Sequence, residues 1–175
     1  MTLLEEVQKD YPMINKAAAE FISKLPGNDI KQAIMLAAEM AGLQLLRASK
    51  VDLVKIAPGT IVLGAIPDDI NQQLERFVAL VALSNGIDRI DLGWVDFHGK
   101  DKDYHPEITR LESSFHEICQ KSSVKVEYYP FVAALTALKL VLAGKKLGLL
   151  DARTGLSMTM FHIIAGSKTA PFPAN

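Results

Sequence analysis

The sequence predicts an α+β fold, in which a helix-rich single domain carries three to five strands around one buried helix. Two observations support this prediction. Residues 130–143 are apolar on nearly every side, and short β-branched runs alternate with amphipathic patterns between residues 60 and 143. Because strand and helix patterns alternate three times there, a three-layer α/β fold is one alternative, and an all-α fold is another.

Residues 130–143, with the sequence PFVAALTALKLVLA, form the predicted central helix. Only Thr136 and Lys139 are polar, and their spacing of three places them in one narrow stripe. Pro130 suits the first helical turn, and we expect Gly144 to end the helix. Such a helix belongs in a protein core or in a membrane, and a membrane span needs roughly 20 apolar residues. The run is shorter than that, so we predict a core helix.

The N-terminal part, residues 1–49, contains two helical patterns. The first covers residues 3–25, either as one helix kinked at Pro12 or as two helices. The second begins after Asp29, a good N-cap, and continues to about residue 48. Small residues recur in it at i+4 steps, where another helix can approach closely: Ala33, Ala37 and Ala41. This row predicts internal helix packing or, as the alternative, the face of a homodimer.

Residues 50–166 form a mixed part. Three short runs of β-branched or alternating apolar residues predict strands: 60–66, 87–97 and 124–129. Residues 51–56 fit either a fourth strand or a helical turn. Two amphipathic patterns predict helices, one from Pro67 to about Ser84 and one from Pro106 to about Ser122.

The last part of the chain permits two interpretations. Residues 147–165 fit a hairpin that turns at residues 151–155, or a helix that begins near Asp151. The hairpin is favoured for residues 147–150. Residues 167–175 contain two prolines and are predicted to form a tail, so that residues 1–175 make a single domain.

Composition and charge restrict the classes of function. The net charge is -1, and Lys145-Lys146 is too short a basic run for a nucleic-acid interface. Cys119 is the single cysteine, so an internal disulfide is impossible and a reducing, cytoplasmic environment is expected. The acidic N-terminal residues do not resemble a signal peptide. We expect neither nucleic acid nor membrane as a partner.

Residues 96–107 hold the densest cluster of polar side chains. Carboxylate and imidazole groups together suit zinc, manganese or iron, and five side chains of this cluster are predicted metal ligands: Asp96, His98, Asp101, Asp103 and His105. Lys100 and Lys102 lie between them and would weaken a cation site. The alternative is a solvated loop in which Asp103 or His105 caps the following helix.

Three other sets of side chains are candidates for a catalytic or binding role. Glu112 and His116 meet on one helix face, and Cys119 follows three residues later. A Cys–His pair can support nucleophilic catalysis, but Cys119 lies on the apolar face, where a thiol is expected to be inert. Lys139 fits a half-buried side chain better than an activated amine. His162 lies in an apolar run and is interpreted as a core or interface histidine.

No pattern in the chain defines a reaction, so two functions stay open. The first is a non-enzymatic cytosolic protein that acts through self-association as a homodimer, or through another protein partner. The second is a small-ligand-binding protein or a metal-dependent enzyme with its site in residues 96–107. No cofactor is expected beyond that divalent metal ion.

Overall fold

The computed structural model describes residues 1–49, 51–62, 68–92 and 105–173, with backbone alone at Asp68, Ile90 and His105. In these residues the chain forms α-helices and short 3-10 turns, and no strand. A single antiparallel bridge joins Ile61 to Thr169. The prediction of an α+β fold with three to five strands is therefore wrong, and the all-α alternative matches the structure.

The described residues contain seven helices, connected mostly by short turns. They are α1 (Leu3–Lys9), α2 (Tyr11–Ile22), α3 (Ile30–Ala48), α4 (Asp68–Ser84), α5 (His105–Lys121), α6 (Tyr129–Lys146) and α7 (Ala152–Lys168). Short 3-10 turns occur at Leu53–Lys55, Arg89–Leu92 and Val126–Tyr128.

Polar caps start several of these helices where the sequence predicts them. Asp29 accepts a hydrogen bond from the Lys31 amide at 2.9 Å and caps α3. Thr2 and Glu5 form a capping box at α1. Pro12 lies in the first turn of α2, where its missing amide hydrogen is tolerated. The first helical pattern is thus two helices.

The strand predictions are wrong because the side chains that alternate as apolar and polar in the sequence are not alternately buried and exposed in the structure. In a strand, Val126 and Tyr128 would share one face. The structure exposes 70% of Val126 and buries Tyr128 completely, since a 3-10 turn leads directly into α6. Ile61 is also 70% exposed and, among the described residues, pairs only with Thr169; residues 63–66 of that predicted strand lie outside the described part. Of the predicted strand 87–97, Arg89–Leu92 is a 3-10 turn, and residues 93–97 lie outside the described part.

The favoured hairpin in residues 147–165 is also wrong, and its helical alternative is confirmed. Asp151 caps α7 by accepting a hydrogen bond from the Thr154 amide at 2.9 Å. The buried Thr159 hydroxyl donates to the Gly155 carbonyl at 2.9 Å within the same helix. Polar residues that looked unsuited to a buried helix are thus satisfied by the helix itself, and α7 continues to Lys168.

The predicted core helix is confirmed. In α6, Val132 and Leu138 are fully buried, and the helix packs against α2, α3, α4 and α7. It does not end at Gly144 but at Lys146, and Gly148 supplies the left-handed residue beyond it. Residues Val126–Lys146 are long and apolar enough to cross a membrane, but 72% of the apolar window is buried against other helices. Internal packing accounts for this apolar character.

Helix α3 lies between α6 and α7 and approaches α7 very closely. A β-carbon on Gly42 would lie 2.5 Å from the backbone nitrogen of Ser167, so only glycine permits this approach. The row of alanines predicted from the sequence is buried inside the chain: Ala33, Ala37 and Ala41. This burial supports internal packing as the interpretation of that row, and formation of a homodimer stays a prediction.

Candidate functional site

The predicted metal ligands lie outside the described residues. Asp96, His98, Asp101 and Asp103 fall in the range 93–104, and the side chain of His105 at the start of α5 is not described either. Metal binding there stays a prediction. Within the described ranges, no group of three or more His, Cys, Asp or Glu side chains is placed to hold a metal ion.

A polar network joins α3 to α5. Arg47 forms a two-pronged ion pair with Glu112, through Nε to Oε1 at 3.1 Å and a terminal nitrogen to Oε2 at 2.9 Å. Gln44 donates from Nε2 to Glu112 Oε1 at 3.0 Å, and His116 Nε2 lies 2.9 Å from Gln44 Oε1. Since the Gln44 amide nitrogen already donates to Glu112, its oxygen must accept the hydrogen of His116. Glu112 and His116 do meet, as their spacing indicates: His116 Nε2 lies 3.8 Å from Glu112 Oε1, and Gln44 of α3 also connects the two side chains.

The electrostatics of this network indicate a structural tie between helices. Burial lowers the pKa of His116, the Glu112 carboxylate opposes this shift, and the Arg47 guanidinium adds to it. Burial also raises the pKa of the Cys119 thiol to about 12, so the thiol stays protonated near neutral pH. A protonated, buried thiol cannot act as the nucleophile that its spacing from His116 would allow. The interpretation of Cys119 as inert is supported.

A second polar pair lies between α3 and α7. His162 Nδ1 is 2.8 Å from Glu39 Oε1, and the two side chains are 1% and 4% exposed. The interpretation of His162 as a core histidine agrees with this burial. The burial of Glu39 could not be predicted from the sequence, because its partner His162 is recognisable only once residues 152–168 are known to be helical. The pair adds a directional contact to an otherwise apolar helix interface.

The turn between α6 and α7 exposes two large apolar side chains close together. In this leucine turn, residues 147–149, Leu147 is 68% and Leu149 is 59% exposed. Gly148 has a φ of +69°, which glycine adopts without strain. Its amide donates to the Lys145 carbonyl at 3.1 Å, and the Leu149 amide donates to the Gly144 carbonyl at 2.9 Å. Backbone hydrogen bonds therefore hold both leucines out toward solvent.

An apolar groove lies directly beside the leucine turn. It has a volume of about 570 Å³, and its walls come from the end of α2, the α2–α3 turn and α6. Its apolar lining includes Ile22, Leu25, Ile30 and Leu140 together with the two leucines of the turn.

A wider recess of about 670 Å³ continues from the groove, and the two share Lys31 and Leu149. This recess is lined by charges of both signs, including Lys145, Asp91 and Asp151. The apolar groove and the charged recess therefore form one continuous surface with an apolar centre and a polar edge.

A separate groove runs between α4 and α7. It consists of two recesses of about 210 Å³ each, which share Glu75 and Met160. Apolar residues supply most of the walls: Leu74, Val78, Leu92, Leu156, Ile163 and Ile164. Both helices pack on α6, which holds them apart.

The fold and these surfaces define an all-helical protein with an exposed apolar turn and internally paired polar clusters. Comparison with known proteins finds no matching protein family, no matching curated protein and no matching solved structure. The exposure of the leucine turn was not predictable from the sequence, because apolar residues beside Gly148 indicate burial as readily as exposure.

Proposed function

We propose that this protein acts by binding another protein through the leucine turn and the adjoining groove. The observation that carries the proposal is the exposure of Leu147 and Leu149 on a turn fixed by backbone hydrogen bonds. Scattered exposed apolar residues are normal on a protein surface. Two leucines beside an apolar groove form a continuous patch, which is typical of interaction sites.

The rigidity of the turn supports the same proposal. A flexible loop that binds must lose conformational freedom, which opposes association. The leucine turn is already held by Gly148 and by the end of α6, so this loss is small. Apolar side chains surrounded by a polar edge are also the usual arrangement of a protein interface. Lys31, Lys145 and Asp151 supply that edge.

The polar clusters of the described residues favour this function over catalysis. The polar network between α3 and α5 consists of side chains that hydrogen-bond to one another: Arg47, Gln44, Glu112 and His116. Neither these residues nor the thiol of Cys119 line the grooves described above. A catalytic centre normally combines perturbed titratable groups with a cleft. For the network around Glu112 and for Cys119, the shifted pKa values occur away from these grooves.

A photo-crosslinking amino acid at position 149 tests the proposal in cells that produce the protein. We expect irradiation to join position 149 covalently to a protein partner. Position 54 provides a matched control, because Val54 is 95% exposed and lies away from the groove. Cross-linking at position 149 that is absent or no stronger than at position 54 would reject the leucine turn as an interaction site.

A second candidate function, small-ligand binding, is favoured by the groove between α4 and α7. Its two recesses form an elongated apolar site, and Glu75 is a carboxylate common to both. A small apolar molecule with an amine would bury its body in the groove and place its charge near Glu75. Ligand sites of this kind are mostly apolar with a few polar groups that fix orientation.

Methyl NMR of methionine-labelled protein tests this second function. Titration with phenethylamine should shift the Met160 methyl signal, because Met160 lines both recesses. Met158 lies on the same helix but is 1% exposed, so its methyl signal serves as the control. Saturable shifts at Met160 that disappear in Glu75→Gln support the site, and unchanged Met160 signals reject it for this ligand class.

A further inference from the structure

We infer that the protein bound at the leucine turn is a second copy of this chain, in a two-fold symmetric dimer. The inference rests on the proposed function and identifies its partner. Three features of the surface support it: its shape, the distribution of its charges, and its extent. Each is a requirement of a symmetric contact, in which one surface patch must be complementary to itself.

The shape of the surface is self-complementary. Leu147 and Leu149 project from the turn, and the groove lined by Leu25, Ile30 and Leu140 lies next to them. In a two-fold contact, a projection on one copy faces a recess on the other, and the reverse holds at the same time. A partner that offered only a projection would leave the leucines of this chain exposed. A second copy buries both leucines and fills both grooves.

The charges around the groove are also mixed in sign. The ammonium groups of Lys31 and Lys145 lie along the same surface as the carboxylates of Asp29, Asp91 and Asp151. A strongly basic or acidic partner would meet groups of its own charge there. Across a two-fold axis, lysines of one copy can face aspartates of the other, so the mixed edge is complementary to itself.

The surface also extends over several elements of the chain. A standard interface buries about 800 Å² on each partner. The whole chain exposes 9224 Å², so such an interface needs a little under a tenth of its surface. The groove and the charged recess meet at Lys31 and Leu149 and together extend from the end of α2 to the start of α7. We therefore place the interface of the predicted homodimer at this face and not at the alanine row, which is buried within the chain.

Light scattering of the purified protein tests the inference. We expect a mass of twice 19.2 kDa for the parent chain at high protein concentration. Leu147→Glu combined with Leu149→Glu should give the monomer, because four carboxylates would have to enter the two grooves of the dimer. The control is Val54→Glu, an exposed position elsewhere, which should remain dimeric. Circular dichroism verifies that each variant is folded.

A charge variant gives a second measurement, which applies even when the leucine variant does not fold. Lys31→Glu combined with Lys145→Glu makes the edge entirely acidic, so copies should repel each other. The dissociation constant should rise at low salt and recover partly at high salt, because salt screens exposed charges. A neutral replacement of the same lysines by glutamine should weaken the dimer less.

The inference is overturned by a monomeric parent at every concentration, or by a dimer that both folded variants leave intact. These results separate the inference from the proposed function. A monomeric parent that still cross-links from position 149 to a different protein retains the interaction site but rejects the second copy. A monomeric parent without any cross-link at position 149 rejects both.

Discussion

Replacement of Gly42 by alanine should destabilise the protein, although alanine is a far better helix former than glycine. The new β-carbon would lie 2.5 Å from the Ser167 nitrogen and 2.8 Å from the Gly166 carbonyl carbon. Ordinary contacts between such atoms are about 3.5 Å, so α3 and α7 must separate by about 1 Å. Both neighbouring atoms belong to the backbone of α7 and cannot rotate away.

The size of the effect follows from two opposing terms. Alanine in a helix interior gains about 1 kcal/mol over glycine. Overpacking a core costs about 1–3 kcal/mol when side chains can adjust, and we expect about 3–5 kcal/mol here because the neighbouring atoms are backbone. Separation of the helices would also lengthen the 2.8 Å contact between Glu39 and His162. We expect a net loss of about 2–4 kcal/mol in the free energy of unfolding.

Thermal and urea unfolding followed by circular dichroism measure this change. For a chain of this length, 1 kcal/mol corresponds to about 2–4 °C in melting temperature, so the melting temperature should fall by about 4–16 °C. Gly27→Ala is the control, since a β-carbon there meets nothing within 4 Å. A Gly42→Ala variant as stable as the parent would show that α3 and α7 are not packed through this glycine.

Further predictions concern the core helix and three titratable groups. Leu138→Asp should lower the free energy of unfolding by several kcal/mol, because an unpaired carboxylate would be buried, and urea titration measures this loss. The Cys119 thiol should resist iodoacetamide in the folded protein and react after denaturation, as mass spectrometry would reveal. Glu39→Ala should lower the free energy of unfolding by about 1–3 kcal/mol, because it removes the carboxylate that contacts the buried His162 ring, and a double-mutant cycle with His162→Ala isolates the coupling. Since the pKa of His116 is lowered on folding, the unfolded chain binds its proton first; stability should fall as pH drops below about 6.5, less steeply in His116→Asn.

Helices whose signals are local were predictable from the sequence. Asp29 caps α3 through its own side chain. Helix α6 is apolar on nearly every side, so only the protein interior is a favourable environment for it. The predicted helix from Pro67 to about Ser84 likewise ends at Ser84, and Gly86 follows it with a φ of +77°. Each of these signals acts over three or four residues and needs no distant partner.

The predictions of a hairpin and of strands were wrong where contacts with distant residues outweigh the local preference of the sequence. Residues 152–168 contain Thr and Ser that favour turns, yet they form α7 because α3 and α6 bury its apolar side. Ile61 is β-branched, yet within the described part of the chain it pairs only with Thr169, in a single bridge. Alternation in a short segment predicts a strand only when a neighbouring strand exists to pair with it.

The sequence by itself determined the helical caps, the buried nature of α6 and the inert character of Cys119, because these depend on spacing and side-chain type. Only the tertiary structure determined which apolar residues stay outside. Leu147 and Leu150 are the same residue type three positions apart, yet the first is 68% exposed and the second 8%. The difference arises because Gly148 reverses the chain at the end of α6, which directs one leucine to solvent and the other into the core.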